Sequence, residues 1–322
     1  MILITGGRGF LGSALVEGMK RIYRTARDGG GAYPAAFWRY ALFDVPAHTI
    51  IWPDPWNLMA SKNSEGRGLD DLDNWVKRAD VVVHAAAMAN LNDVSADPEK
   101  GRRINVEGTR NVAEACKRND RFLIYISTCC VYGEAGYGAE PATEKTEPKP
   151  TEEYARQKLE GEKEIERIMG PVMRLPVDGP AWAVARLGTF YGPGMRDALF
   201  NAKALRAAKN QGHLDIHGSG LATRRYVYID DVVEALLTMI HDRPAMGIYN
   251  ICGDAEISVM DTISVAERVS GTRIAWCENR DRNGQIQRQN ISNATAVTHL
   301  GWRPHVSYEE GMRRAWEWMN AS

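Results

Sequence analysis

The chain opens with an apolar run followed by closely spaced glycines, and this junction constrains the fold more than any other feature. Residues 1–5 (MILIT) have the composition of a short buried strand, and Gly6-Gly7-Arg8-Gly9-Phe10-Leu11-Gly12 follows at once. Apolar residues then recur at helical spacing as far as Tyr23. A glycine turn between a strand and a helix lets the helix N-terminus approach the pyrophosphate of a dinucleotide. The alternative interpretation is a tight turn that binds nothing.

Strand-like and helix-like segments alternate over the first 190 residues. The predicted elements are strands around 38–43, 49–52, 80–84, 122–127 and 182–187, and helices over 104–117 and 152–169. A stretch rich in Pro, Glu and Thr at 134–150 predicts a surface loop. The alternation is typical of an α/β fold, a Rossmann-type doubly wound parallel sheet.

Beyond Tyr191 the pattern changes, because short strands and helices mix and Gly and Pro recur often. We therefore predict a smaller C-terminal mixed α/β substrate domain. The predicted dinucleotide-binding domain comprises residues 1–190 and a return segment at about 225–255. Residues 191–224 and 256–322 are assigned to the substrate-binding domain.

Charge and composition argue against several classes of partner. The 322 residues carry a formal net charge of −1, which gives no support for a nucleic-acid or membrane-surface binder. No apolar run reaches the roughly 18–20 residues that a membrane helix needs, and no secretory leader is recognisable. The five cysteines show neither metal-ligand spacing nor a disulfide framework. We expect a cytoplasmic protein without a metal site.

A carboxylate at the end of the second predicted strand bears on the choice of dinucleotide. Asp44 can accept hydrogen bonds from the hydroxyls of an adenosine ribose and would repel a 2′-phosphate, which favours NAD over NADP. Arg8, inside the glycine turn, would favour a 2′-phosphate, but we interpret it as a solvated side chain. The alternative for Asp44 is an ordinary turn residue.

A tyrosine and a lysine four residues apart suggest acid–base chemistry. Tyr154 and Lys158 would share one face of the predicted helix over 152–169. A nearby ammonium group can lower the phenol pKa from about 10 towards neutrality, at a cost of roughly 4 kcal/mol. Ser127 and Thr128 lie at the carboxyl end of a predicted strand, where such sheets bind ligands. We propose that the Thr128 hydroxyl contacts the same substrate oxygen as Tyr154.

The ordered set of short motifs resembles the NAD-dependent epimerase/dehydratase family of extended short-chain dehydrogenase/reductases. In pattern the chain is most similar to nucleotide-sugar 4-epimerases such as UDP-galactose/UDP-glucose 4-epimerase. The motifs span nearly the whole chain and are Thr5-Gly-Gly-Arg-Gly-Phe-Leu-Gly12, His84-Ala-Ala-Ala87, Asn105-Val-Glu-Gly-Thr109, Ser127-Thr128, Val131-Tyr-Gly133, Tyr154-x-x-x-Lys158, Tyr191-Gly-Pro-Gly194, Arg224-Arg-Tyr-Val-Tyr-Ile-Asp-Asp231 and Leu300-Gly-Trp302.

The resemblance implies NAD as cofactor and assigns residues to it. The glycine turn (Gly6, Gly9, Phe10, Leu11 and Gly12) would hold the pyrophosphate. Asp44 would hold the adenosine ribose and Asp54 the adenine. Lys158 would also bond the nicotinamide ribose. The remaining residues assigned to the cofactor are Ala85, Ala86, Ala87, Asn105, Ser127 and Tyr154.

The resemblance also implies a nucleotide-sugar substrate. Arg224 and Arg282 match arginines that grip the diphosphate, a task that suits bidentate guanidinium geometry. Thr189 stands where UDP-galactose 4-epimerases carry an asparagine, and Thr128 is assigned to the substrate as well. Relatives often form homodimers, so a homodimer is expected.

Two cysteines reduce the number of family reactions that this chain is expected to catalyse. Family 4,6-dehydratases carry an Asp-Glu pair before Val-Tyr-Gly, whereas this chain has Cys129 and Cys130, so dehydration by that route is disfavoured. The leading hypothesis is epimerisation of a UDP-hexose at C4 through a 4-keto intermediate, with Tyr154 as acid/base. The alternatives are a dehydratase, reductase or 3,5-epimerase that uses Cys130, and a non-catalytic NAD-binding sensor.

Overall fold

The structure is a computed structural model that describes residues 1–27, 49–52, 69–171, 181–241, 246–279 and 288–321. The chain divides into two compact units, each assembled from separate stretches of sequence. The first unit comprises Met1–Val131, Pro150–Arg186 and Val233–Tyr249. The second comprises Tyr132–Lys149, Leu187–Val232 and Asn250–Ser322.

The described helices and strands follow one another in an order that alternates through the first unit. In chain order they are β1 (Ile2–Thr5), α1 (Phe10–Arg27), β2 (Thr49–Trp52), α2 (Leu69–Arg78), β3 (Val81–His84), α3 (Leu91–Ala96), α4 (Pro98–Arg102), a π-helical turn (Arg103–Glu107), α5 (Gly108–Arg118), β4 (Phe122–Thr128), α6 (Glu153–Met169), β5 (Trp182–Leu187), β6 (Thr189–Tyr191), α7 (Phe200–Asn210), β7 (His213–His217), β8 (Thr223–Arg224), β9 (Tyr226–Tyr228), α8 (Ile229–His241), β10 (Gly247–Ile251), β11 (Ile257–Ser258), α9 (Val259–Ser270), β12 (Ala275–Asn279), α10 (Ala294–Leu300) and α11 (Tyr308–Ala321).

A six-stranded sheet forms the centre of the described fold, in the order β10-β5-β4-β3-β1-β2. β1 pairs in parallel with both β2 and β3, and β3 pairs in parallel with β4. Every residue of β3 and β4 is buried, as expected of parallel strands that are covered on both faces. The expected doubly wound parallel sheet is therefore confirmed, and β1 lies inside it rather than at its edge.

The helices of the first unit cover this sheet through apolar faces. In α1 the side chains of Leu11, Leu15 and Met19 recur at helical spacing and are nearly fully buried. A second cluster packs residues of α2, α5 and α6 against the sheet, including Val76, Val112 and Ile165. Burial of side chains of this size contributes roughly 1.5–3 kcal/mol each to folding. The glycine turn and the carboxyl end of β4 are thus fixed by a rigid core.

Three two-stranded sheets occur in the part of the second unit that the structure describes. β6 pairs with β9 in parallel, β7 with β12 in parallel, and β8 with β11 in antiparallel orientation. A group of tyrosines packs beside β6 and β9, in which Tyr191 Oη donates to the carbonyl of Tyr308 at 3.0 Å. These short elements match the predicted mixed α/β character of the C-terminal part.

Two expectations change in detail, and a third is not tested. The predicted helix over 104–117 begins as a π-helical turn at Arg103–Glu107 and continues as α5. The predicted loop at 134–150 carries a 3₁₀ turn at Glu134–Tyr137 and a bridge between Ala142 and Ile291. The strand predicted around 38–43 lies outside the described residues. Among the helices that are described, none is long and apolar enough to cross a membrane.

Candidate active site

The glycine turn between β1 and α1 is held by its own backbone. Gly9 N–H donates to the carbonyl of Gly6 at 2.9 Å, and Gly6 has a positive φ of 73°. A Cβ at Gly6 would lie 2.7 Å from Ala86 N, and one at Gly12 would lie 2.4 Å from Gly6 O. Gly6 and Gly12 are therefore required by close backbone packing within the protein.

Gly9 is less closely packed than Gly6 and Gly12, and this openness is relevant to cofactor binding. It is exposed, and a Cβ there would meet only Gly6 O, at 3.2 Å. The missing side chain leaves an open face beside the first turn of α1, where helix N–H groups and the helix dipole favour an anion. The turn therefore fits a pyrophosphate. Ala86, assigned to the cofactor from the sequence, lies against Gly6 in the same place.

A chain of buried hydrogen bonds holds the segment that follows β3. Ala86 N–H donates to Thr5 Oγ1 at 3.2 Å, and Thr5 Oγ1 lies 2.6 Å from His84 Nδ1. On the other side, His84 Nε2 lies 3.0 Å from Thr109 Oγ1, which itself donates to the carbonyl of Asn105. Because each hydroxyl has one hydrogen to give, Thr5 donates to Nδ1 and Nε2–H donates to Thr109. Residues 85–87 are thereby tied to β1 and α5.

His84 must be neutral to take part in this chain. It is fully buried and stacks on Tyr125 with a centroid separation of 5.6 Å. Burial, followed by the nearby charge of Lys158, lowers the pKa of His84 from 6.5 to about 3. His84 lies within one of the sequence motifs, but the sequence predicts no role for it. Its place between two threonines is visible only once the strands are assembled.

Asn105 is positioned by the π-helical turn. Its Oδ1 accepts from Met88 N–H at 2.8 Å, and its Nδ2 donates to the carbonyl of Met88 and to Gln157 Oε1. The Gln157 amide in turn donates to the carbonyl of Pro98 at 3.0 Å. Asn105 is fully buried. Its side chain therefore links the segment after β3 to α6, and its predicted contact with the cofactor stays a prediction.

The helix α6 brings Tyr154 and Lys158 to one face, one turn apart. Tyr154 is half-buried, whereas Lys158 is only 2% exposed and its Nζ lies 4.2 Å from the centroid of the Tyr125 ring. Burial lowers the pKa of Lys158 to about 7, although the charge of Glu162 acts in the opposite direction. Contact with the ring face stabilises the ammonium form. Lys158 can therefore change charge near neutral pH.

Tyr125 is a second tyrosine at this place, but it is not suited to be a base. It is fully buried, and desolvation raises its pKa well above 10. Its hydroxyl lies so close to α6 that a Cβ at Gly161 would stand 2.5 Å from it. The face of the Tyr125 ring therefore packs against the Lys158 ammonium group, and the absence of a side chain at Gly161 leaves room for the Tyr125 hydroxyl. Neither Tyr125 nor Gly161 has a role that is predicted from the sequence.

A buried ion pair lies one helical turn beyond Lys158. Arg186, on β5, donates to both carboxylate oxygens of Glu162, with the shortest contact at 2.6 Å. Ser127 Oγ donates to the same carboxylate at 2.5 Å. All three side chains are at most 5% exposed. The Ser127 hydroxyl therefore serves this pair, while its predicted contact with the cofactor stays a prediction.

The residues that follow β4 differ in how they are used. Cys129 is buried, and its thiol donates to the carbonyl of Arg186 at 3.1 Å. Cys130 is half-buried, and its N–H donates to Thr128 Oγ1 at 3.2 Å. This bond occupies one lone pair of the Thr128 hydroxyl and leaves its hydrogen to be donated. The arrangement suits Thr128 as a donor to a substrate oxygen.

Of the residues assigned to the substrate, Thr128 lies in the first unit, whereas Thr189 and Arg224 lie in the second. Thr189 begins β6 and is half-buried, and Arg224 ends β8, where its guanidinium donates to the carbonyl of Thr223 at 2.8 Å. Asp44, Asp54 and Arg282 lie outside the residues that the structure describes. The glycine turn, Thr128, Tyr154 and Lys158 all belong to the first unit.

Comparison with known proteins agrees with this fold. The model of the NAD dependent epimerase/dehydratase family matches residues 2–252. Because that match covers most of the chain, the protein belongs to this family, and its cofactor is NAD. The expected family and cofactor are therefore confirmed.

Individual relatives cover almost the whole chain but differ in activity. A putative UDP-glucose 4-epimerase of Methanocaldococcus jannaschii is 27% identical, over 99% of this chain and 98% of its own length. A trifunctional UDP-glucose 4,6-dehydratase/3,5-epimerase/reductase of Arabidopsis thaliana is also 27% identical, over 98% of this chain. The chain spans only 47% of that longer relative.

The solved structure of UDP-glucuronic acid 4-epimerase from Bacillus cereus, in complex with UDP-glucuronic acid and NAD, has the same fold. Its TM-score is 0.79 at 24% identity, over 99% of each chain.

Proposed function

We propose that this protein epimerises a nucleotide sugar, specifically a UDP-hexose, at C4 through a transient 4-keto intermediate. The observation that carries the proposal is the pair on α6, in which a fully buried Lys158 lies one helical turn from Tyr154 above the ring of Tyr125. A desolvated cation near a phenolate stabilises it far more than a solvated one would. Relatives with 4-epimerase names support the assignment.

The protein's own groups would act through proton transfer. Tyr154 removes the proton from the sugar 4-hydroxyl as C4 is oxidised, and it returns a proton when the ketone is reduced on its other face. Lys158 holds the phenolate, and Thr128 donates its hydroxyl hydrogen to the same sugar oxygen. The chemistry that bound NAD supplies is reversible hydride transfer. The 4-keto sugar must rotate between the two hydride transfers so that its opposite face meets the cofactor, and the pocket must therefore allow this rotation.

Cofactor and substrate residues follow from the same proposal. The turn residues Gly6, Gly9, Phe10, Leu11 and Gly12 would hold the pyrophosphate, with Ala85–Ala87 beside it and Asp44 and Asp54 holding the adenosine. Arg224, Arg282 and Thr189 would bind the nucleotide diphosphate and the sugar. Support for the glycine turn comes from the open face at Gly9. Arg224 ends β8 and is only partly buried, which is compatible with contact to a ligand.

Deuterated water separates this reaction from the other reactions of the family. The purified protein is incubated in it with a panel of UDP-, GDP- and dTDP-hexoses, and products are analysed by NMR and mass spectrometry. We expect one C4 epimer with no deuterium on carbon, because C4 regains its own hydrogen. A product that has lost water indicates a dehydratase. Deuterium at C3 and C5 indicates a 3,5-epimerase, and either result rejects the proposal.

Substitution of Tyr154 by Phe tests the role of the phenol. We expect turnover to fall about 10³-fold or more, since a positioned acid/base contributes roughly 10²–10⁴-fold. Binding of NAD, measured by fluorescence or calorimetry, should stay within about twofold. Full activity in this variant would reject the mechanism. Tight NAD binding without turnover of any sugar in the wild type would instead support the non-catalytic sensor.

Cys130 carries the alternative reactions, because it is half-buried whereas Cys129 is fully buried. If the protein acts as a 3,5-epimerase or reductase, the Cys130 thiol would be the second acid/base. Cys130→Ser separates these cases. We expect the serine variant to retain most of its 4-epimerase activity. Loss of activity of the same size as in Tyr154→Phe would favour the cysteine route.

A homodimer in the cytoplasm is part of the proposal. The family resemblance suggests pairing through α5 and α6. These two helices already pack together within one chain, where Arg110 Nε contacts Glu164 Oε2 at 2.8 Å. Sedimentation equilibrium of the purified chain would measure the mass. A concentration-independent monomer would reject the dimer.

A further inference from the structure

A group of metal-ligand side chains lies in the second unit, on the sheet formed by β7 and β12. His213 and Asp215 are two residues apart on β7, so their side chains leave the same face of the strand. Cys277 stands opposite Asp215 in the parallel register with β12. We refer to His213, Asp215 and Cys277 as the β7–β12 cluster. None of these residues takes part in the proposed reaction.

The three ligand atoms form a compact triangle. His213 Nε2 lies 3.0 Å from Cys277 Sγ, Cys277 Sγ lies 3.2 Å from Asp215 Oδ1, and Asp215 Oδ1 lies 3.4 Å from His213 Nε2. Ligand atoms around a tetrahedral zinc ion lie about 3.3–3.6 Å apart, because the metal–ligand bonds are about 2.0–2.3 Å long. A small outward movement of the thiol would therefore admit an ion, and no strand would have to shift.

We propose that the β7–β12 cluster is a binding site for one divalent transition-metal ion of borderline softness, with Zn²⁺ as its representative. Ions of this kind prefer mixed ligand sets such as this one, which offers one imidazole nitrogen, one thiolate and one carboxylate oxygen. Mg²⁺ and Ca²⁺ instead select oxygen ligands. His213 is 51% and Asp215 61% exposed, so an ion can reach the cluster from solvent. Three protein ligands leave the fourth tetrahedral position to water.

Metal binding at this site would exchange a proton for an ion. In the free protein the Cys277 thiol donates its hydrogen to Asp215 Oδ1. On binding, the S–H bond breaks, the proton leaves to solvent, and a sulfur–metal bond forms, with no change of oxidation state. His213 binds through Nε2 as a neutral ring. The ion would join two strands whose ligands are 62 and 64 residues apart, and so would stabilise the second unit against unfolding.

Long sequence separation explains why sequence spacing gave no sign of the site. A zinc motif is recognised when ligands recur a few residues apart, but here only His213 and Asp215 are close in sequence. Cys277 joins them through the parallel pairing of β7 and β12. The expectation of a protein without metal rested on cysteine spacing alone.

Cobalt titration of the untagged full-length protein tests the proposal, since a histidine tag would bind the probe. After treatment with a chelator, Co²⁺ is added and the absorption spectrum recorded. We expect about one equivalent to bind, with visible bands of a four-coordinate ion and a thiolate-to-cobalt charge-transfer band. Addition of Zn²⁺ should then displace the Co²⁺, abolish the cobalt absorption bands and raise the Tm of the protein.

Substitutions assign the signal to the cluster. Cys277→Ser should abolish the charge-transfer band, and His213→Ala and Asp215→Asn should each weaken cobalt binding by about tenfold or more. His299→Ala, which removes an exposed histidine on α10, is the matched control and should bind as the wild type does. The proposal is rejected if the wild type shows no charge-transfer band with excess Co²⁺, or if Cys277→Ser retains it. Circular dichroism checks that each variant is folded.

Discussion

A buried group of charged side chains in the first unit contrasts with two exposed groups in the second. In the first unit, Lys158, Glu162 and Arg186 are at most 5% exposed, and each is held by neighbours on other strands or helices. In the second unit, the Arg288–Glu256 pair is partly exposed, and two side chains of the β7–β12 cluster are more than half exposed. The same kinds of groups therefore meet different dielectric surroundings.

This difference decides what each group of residues can do. Where charges are desolvated, pKa values move far, as they do for His84 and Lys158, and a side chain can serve as acid or base. Where charges are solvated, the interaction energy is small and salt screens it. Exposed groups can bind a ligand from solvent, but they cannot lower the pKa of a tyrosine enough to stabilise its phenolate form. Four substitutions test this comparison.

Loss of the buried cation should have the largest effect. Lys158→Met fills the same space but removes the charge beside Tyr154. We expect kcat to fall about 10²–10³-fold and the pH–rate profile to move to higher pH, because the phenolate loses its stabilising partner. Lys163→Met, on the exposed side of α6, is the matched control and should leave both quantities unchanged. An unshifted profile in Lys158→Met would contradict the proposed role.

Breaking the buried ion pair should be the next largest effect. Arg186→Met leaves Glu162 buried without its cation, which costs about 3–5 kcal/mol of the free energy of unfolding. The double variant with Glu162→Leu should recover part of that loss, since no uncompensated charge remains. Urea unfolding measures both. If the double variant were less stable than Arg186→Met by the full cost of a second substitution, the pair would not be coupled.

His84 should determine how stability depends on mildly acidic pH. Its folded pKa of about 3 lies below the 6.5 of the unfolded chain, so the unfolded state binds the proton first. Stability is therefore lost as pH falls below 6.5, by about 2 kcal/mol on reaching about pH 5. His84→Gln should be less stable at neutral pH, by about 1–3 kcal/mol, but should show a flatter acid dependence.

Unfolding measured from pH 7 to pH 5 provides the comparison for His84. His299→Gln, at an exposed site, should keep the wild-type dependence on pH. Equal slopes for the wild type and His84→Gln would show that His84 titrates alike in both states.

The exposed pair should give the smallest effect. Arg288 contacts Glu256 at 2.7 Å but is 39% exposed. We expect Arg288→Met to cost about 1 kcal/mol or less, and the cost to shrink further at high salt. Urea unfolding at low and high ionic strength measures it. A cost as large as that of Arg186→Met would mean that burial does not distinguish the two pairs.

Much of this site could be predicted because its signals are local in sequence. The turn from Gly6 to Gly12 lies within one strand–turn–helix unit, β1 to α1. Tyr154 and Lys158 lie within one helix, α6. The parallel sheet followed from the alternation of apolar runs and amphipathic segments. Such local patterns reflect backbone geometry, which needs no knowledge of distant residues.

The supporting residues could not be predicted, because pairing across the sheet creates their roles. Glu162 and Arg186 are separated by 24 residues and meet only when α6 packs on β5. Thr5 and His84 are 79 residues apart and meet because β1 and β3 are neighbours. The helix predicted from 104 begins at Arg103 as a π-helical turn, and this form was not predicted, because hydrophobic periodicity does not encode it.

The interleaving of the two units has a consequence for synthesis on the ribosome. The first unit takes its last segment from Val233–Tyr249, and β10 is an edge strand of its sheet beside β5. Until residue 249 has left the exit tunnel, β5 has one unpaired edge that can pair wrongly with other chains. The first unit therefore cannot be completed until two stretches of the second unit, Tyr132–Lys149 and Leu187–Val232, have also been synthesised. A truncation before residue 247 should aggregate rather than yield a folded fragment.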